Sequence, residues 1–147
     1  MKNILIGAGV IAVLLGGSIW WSKTMQSQDP EIISQSGLHW HPILKVYIGG
    51  EEQKIPANVG IGGQYSSLPM GMSPIHTHDD AVDGIIHLEF GGIVRNGDTT
   101  LGKFFDSWGK DINSLGANVV MTVNGVANTE LGSYQMNDGD KIELRYE

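Results

Sequence analysis

Apolar residues fill positions 4–21 without one charge, and this unbroken run predicts a single helix apolar on every side. A polar stretch rich in Ser and Gln follows over 24–36, with Asp29-Pro30 as a breaker. The pattern then changes period. Over 38–48, Leu44, Val46 and Ile48 alternate with Lys45 and Tyr47, which predicts a half-buried strand. Gly49-Gly50 allows a tight turn into a partner strand over 53–61. Positions 62–84 show no sustained period, and a loop of that length in a small domain is usually functional or disordered. A short strand over 85–90 puts Ile86, Leu88 and Phe90 on one face and His87 and Glu89 on the other. Leu101, Phe104, Phe105 and Trp108 then fall at helical spacing, with Thr99-Thr100 before them and Gly109 as a stop. Two final strands are expected over 119–123 and in the tail through Ile142, Leu144 and Tyr146, with Asn124-Gly125 turning the chain after the first.

The 147 residues suit one compact domain. The opening run is long enough for a bilayer, and it ends on Trp20 and Trp21, which match an interfacial aromatic belt. A cleaved secretory signal would instead end on small residues. The reading is therefore an N-terminal membrane anchor over 1–23, a flexible tether over 24–36 and an exported domain over 37–147, single-pass at the cell membrane with the C-terminal domain outside the cytoplasm. Two of the nine basic residues, Lys2 and Lys23, flank the anchor, so the remainder is more acidic than the whole-chain charge of −7. With no basic cluster, nucleic acid is excluded as a partner. With no cysteine, so are disulfides and thiol chemistry.

All five histidines lie between residues 39 and 87, as "HWH" (His39, His41), "HTHD" (His76, His78, then Asp79) and His87. In extended backbone, i and i+2 share a face, so each H-x-H pair can turn two imidazoles to one point. Imidazole sets suit copper, zinc, iron or nickel. The expected ligands are His41, His76, His78 and His87, with His39 as a frayed or outer residue and with Asp79 and Glu89 orienting imidazoles through their second nitrogen. Met70 and Met72 precede the "HTHD" turn, and thioether sulfur favours copper over zinc. The function expected is binding of a copper or zinc ion near a membrane. The alternatives are a metalloenzyme with three histidines, an open water position and Glu89 as base, and an interaction module without metal. No G-x-S-x-G, P-loop, G-x-G-x-x-G or H-E-x-x-H pattern occurs.

A hairpin, a His-rich insertion, one main amphipathic helix and two strands ending in "NDGDKIELRYE" resemble the β-grasp fold, which implies an α+β domain with a mixed sheet. The tail is similar to that of the ubiquitin-like sulfur carriers. Those carriers end in a Gly-Gly carboxylate and this chain ends in Arg145-Tyr146-Glu147, so a thiocarboxylate role is not implied. The segments "HWH", "IPANVGIG", "HTHD", "GIIHLEF" and "TLGKFFDSWG", in that order, resemble the layout of a group of short exported proteins of archaea and candidate-phylum bacteria. That resemblance implies a single module and no particular activity.

Overall fold

The computed structural model describes residues 2–25 and 29–147, with side chains in the first stretch described at 7, 9 and 11–22. Over the described residues the chain is a mixed α+β protein, mostly sheet, with two α-helices. It divides into two units, Met1–Pro30 and Glu31–Glu147.

In the first unit, helix α1 runs Lys2–Met25. Its described apolar side chains, among them Val13, Leu14, Trp20 and Trp21, are exposed. Among the described residues no helix is long and apolar enough to cross a membrane. The unbroken stretch with described side chains, 11–22, is shorter than the ~20 residues that a span requires. The rest of the anchor expected over 1–23 falls partly on side chains outside the described residues, as does 26–28 of the tether.

The tether expected over 24–36 is ordered at both ends. Helix α1 continues to Met25, and strand β1 (Ile32–Ser34) pairs antiparallel with β7 (Val94–Arg95). The β-branched pair Ile32-Ile33 gives this short segment a strand preference that the surrounding Ser and Gln masked.

The second unit is built on a five-stranded sheet in the order β4-β3-β10-β8-β9. These strands are β3 (Ile43–Ile48), β4 (Glu51–Gln53), β8 (Val119–Val123), β9 (Val126–Asn128) and β10 (Lys141–Tyr146). The final strand lies in the middle, parallel to β3 and antiparallel to β8. Paired on both edges, it buries one face on the core: Ile142, Leu144 and Tyr146 are buried, while Lys141 and Arg145 face water. Both hairpins turn where two successive residues have positive φ, at Gly49-Gly50 (58° and 86°) and Asn124-Gly125 (52° and 80°). Helix α2 (Leu101–Trp108) buries Leu101, Phe104 and Phe105, and Gly109 ends it at φ 70°.

Two expected strands are cut short. The partner of β3 covers only Glu51–Gln53, because Pro56 lacks an N–H and Asn58 and Gly60 sit at φ 65° and 74°. The chain still buries Ile55 and Val59, but in irregular backbone. The strand expected over 38–48 is two strands, β2 (Leu38–Trp40) and β3, broken at His41-Pro42 and paired in different sheets. Proline cannot donate to a ladder, and it restricts the residue before it.

That break creates the layer that carries the histidines. Strand β2 joins β5 (Ile75–His76) and β6 (His87–Phe90) in an antiparallel sheet ordered β2-β6-β5. One face supplies Ile75, Ile86 and Leu88 to the same core as Leu44, Val46 and Phe104. The layer is fastened by Thr77, which is fully buried between His76 and His78. Its hydroxyl donates to Pro56 O (2.9 Å) and accepts from Val59 N–H (3.0 Å). Its backbone N–H donates to Val59 O (3.0 Å) and its carbonyl accepts from Asn58 N–H (3.0 Å). Thr77→Val keeps the shape and leaves the buried Val59 N–H unpaired, so it is expected to cost ~1–3 kcal/mol in urea unfolding. An unchanged midpoint would remove Thr77 from this role.

Candidate metal centre

Period two places His39, His76 and His87 on the face of the β2-β6-β5 sheet that points away from the core, and His41 and His78, just beyond β2 and β5, join them. The register pairs His39 with Glu89 and His76 with His87. The flanking residues Leu38, Trp40, Ile75, Thr77, Ile86 and Leu88 face the other way. Five imidazoles meet as a result. Their ring centroids are 4.6 Å apart for His39 and His41, 4.9 Å for His41 and His87, 4.9 Å for His87 and His78, and 4.8 Å for His78 and His76. His76 and His87 also stack at 5.5 Å.

Two groups of three bring their candidate ligand atoms within 4.8 Å of one another: His76, His78 and His87, and His39, His41 and His87. His87 belongs to both. His41, expected as a fourth ligand beside His76 and His78, falls in the second group. Its backbone N–H donates to Asp138 Oδ1 (2.8 Å), which holds it where β2 ends.

In the neutral rings, the hydrogen-bond partners set two tautomers. A carbonyl only accepts, so His76 donates Nδ1–H to Ser73 O (3.0 Å) and its Nε2 carries a bare lone pair. Likewise His87 donates Nε2–H to the Asp80 carboxylate, at 2.9 Å to Oδ2 and 3.1 Å to Oδ1. That leaves His87 Nδ1 bare. Among the described residues, two buried side-chain polar atoms lack a hydrogen-bond partner: this Nδ1 and Thr99 Oγ1, which precedes α2. The closest carboxylate oxygen to His87 Nδ1 is Glu89 Oε1 at 4.0 Å, and it cannot donate when ionised.

His76 Nε2 and His78 Nε2 lie 3.2 Å apart. Two nitrogens bound tetrahedrally to one ion at ~2.0–2.1 Å are separated by about 3.3 Å. The pair therefore has the spacing of two ligands already, and a ligand atom of His87 lies within 4.8 Å of both. His76 is fully buried at one end of the cluster, with the more accessible His78 beside it, whereas the His39 side chain is 60% exposed at the other.

The remaining expected residues are placed as follows. Glu89 Oε1 accepts from His39 Nε2 (3.0 Å). Asp79 is exposed at the start of the 3-10 turn Asp79–Asp83, and the carboxylate on His87 is that of Asp80, which the sequence reading passed over. The signal was present in the doubled "HTHDD", but only the turn shows which carboxylate comes back to the sheet. Met70 is exposed, and Met72 bridges Ile61 in the loop ahead of β5.

Burial lowers the pKa of His76 below its ordinary 6.5, against the pull of the Ser73 hydrogen bond, and the neighbouring His78 and His87 lower it further. The unfolded chain therefore takes up this proton at a higher pH than the folded one. His76 contributes full stability above about pH 6.5 and loses it as pH falls through the window below. Metal-free protein is expected to unfold at lower urea in mild acid than at neutral pH, with a smaller difference in His76→Asn. Equal slopes in the two proteins would contradict the assignment.

No family model matches the chain, and no curated protein or solved structure matches it.

Proposed function

We propose that the protein is a membrane-anchored, extracytoplasmic binding protein for one transition-metal ion, copper in preference to zinc, held by His76, His78 and His87. One observation carries the reading: a buried imidazole nitrogen, His87 Nδ1, has no protein partner and stands among four other imidazoles. A buried polar atom without a partner is costly, and a metal ion is a partner to which its lone pair can donate, beside the lone pair of His76 Nε2 and a His78 ring that frees its own on changing tautomer. Asp80 and Ser73 act as the outer partners that orient ligating imidazoles. Copper is favoured by Met70 and Met72, whose loop leads into β5.

The location rests on the apolar run over 4–21 and its tryptophan end. The order of the five-stranded sheet, with the last strand parallel to the first and between the two hairpins, supports a β-grasp-like domain carrying the histidine layer as an insertion. The same segments support kinship with the short exported proteins of similar layout. A second reading, a metal-dependent hydrolase, is favoured by Glu89, whose carboxylate lies 4.0 Å from His87 Nδ1, where a base for a metal-bound water would stand.

Elemental analysis of the purified chain, supplied with copper and zinc together, tests the site. The expected content is about one ion per chain in the parent and none retained in His76→Ala/His78→Ala, with the circular dichroism of the fold preserved. A double variant that keeps a full equivalent of tightly held metal would end the proposal.

A further inference from the structure

The five imidazoles form a file rather than a ring. It runs from the exposed His39 through His41 to His87, then through His78 to the fully buried His76, each ring within 5 Å of the next. Both groups of three use His87. With Nε2–H committed to Asp80, His87 has one bare lone pair to offer, so it serves one group at a time while that bond is kept.

We propose that His87 is shared between two alternating positions for the ion, an outer one with His39 and His41 where the ion is loaded and an inner one with His76 and His78 where it is held. The inference rests on the metal-binding reading above and adds to it a route. The outer pair suits loading because its end reaches solvent, and Glu89, bonded to His39, adds negative charge beside it. The chain's net charge of −7 draws cations towards the surface.

Transfer needs only ligand exchange. The bond between the ion and His87 Nδ1 persists while bonds to His39 and His41 break and bonds to His76 and His78 form. His76 Nε2 is already bare. The contact between the two Nε2 atoms makes His78 the donor, so its proton moves from Nε2 to Nδ1 as the ion arrives, with no change in the charge of the protein. The metal keeps its oxidation state throughout.

A shared intermediate position has a kinetic signature that a single multi-histidine site lacks. Removing it slows loading and release by the same factor and leaves the equilibrium constant alone, because neither end state changes.

The test is stopped-flow binding of copper(II) to the full chain in detergent, read by tryptophan quenching, with release measured into excess chelator. In His39→Ala/His41→Ala, one ion should still bind with the parent Kd, while the association and dissociation rates both fall by about tenfold. His39→Ala alone alters an exposed side chain and should show the same effect in smaller measure. His76→Ala/His78→Ala should keep only a weak, rapidly exchanging ion.

Three results would overturn the inference while leaving the metal-binding function standing. A Kd weakened by about a hundredfold in the outer double variant would make His39 or His41 a ligand of the held ion. Unchanged rates would make the outer pair a bystander and loading direct past His78. Two ions per parent chain would show that His87 is not shared. A parent chain that takes up no ion would instead defeat the function itself.

Discussion

His87→Ala is expected to remove tight copper or zinc binding outright, a larger loss than any other single histidine replacement causes. Each of the other four imidazoles serves one group of three, so its removal leaves the other group complete. His87 is common to both, and its loss leaves two pairs. Two imidazoles on a solvated sheet face hold an ion weakly, since ~3–4 protein ligands are usual for zinc. The fold should survive, because the side chain lies on the face away from the core and the neighbours Ile86 and Leu88 that pack inward are kept. Asp80→Asn is the companion variant. It retains an oxygen that accepts from Nε2–H but removes the charge, and a change of this kind typically weakens affinity ~10–100-fold. Titration with a competing chelator measures both. If His87→Ala bound as tightly as the parent, the buried nitrogen would have no part in the site. If Asp80→Asn were as damaging as His87→Ala, the carboxylate would itself be a ligand.

The second large effect is on heat stability. An ion that binds only the folded chain stabilises it by mass action, by about 4 kcal/mol at a thousandfold excess over Kd. For a unit of this size that raises the melting temperature by on the order of 10 °C. The gain should be felt because the ligands of the held ion come from two separate segments, β5 with its following turn and β6. Calorimetry with and without one equivalent of copper or zinc checks this, and the rise should vanish in His76→Ala/His78→Ala. Superimposable melting curves in the parent would exclude a tight site at these histidines.

Sequence periodicity was sufficient where one face of an element meets one core. Leu101, Phe104 and Phe105 mark α2, and Ile142, Leu144 and Tyr146 mark the central strand, because burial on one side leaves a period of 3.6 or 2. Two hairpin turns that require positive φ were legible, at Gly49-Gly50 and Asn124-Gly125, whereas the positive φ at Asn58 and Gly60 was not. The histidines were legible as a group from their clustering.

Their division into two groups was not legible, because it depends on the break at Pro42. Leu38, Trp40, Leu44, Val46 and Ile48 keep one parity across Pro42, and that alternation is blind to a change of sheet. Proline was the available sign, since it rarely sits inside a ladder. Strand β5 was hidden for another reason. Ile75-His76 is two residues long, and only its pairing with β6 makes it a strand. Asp80 escaped because its role is set by a 3-10 turn that no periodicity marks.

The strands that carry the histidines are two to four residues long, while β3 and β10 run six residues side by side in the middle of the larger sheet. Short ladders open at a lower free energy than the global unfolding of a domain. Amide hydrogens of β2 and β5 would then exchange through local openings in the metal-free chain, and those of β10 only when the whole unit unfolds. A bound ion that ties β5 and its following turn to β6 would move β5 towards the slower class, so that metal occupancy could be followed amide by amide as this part of the outer layer joins the cooperative unit beneath it.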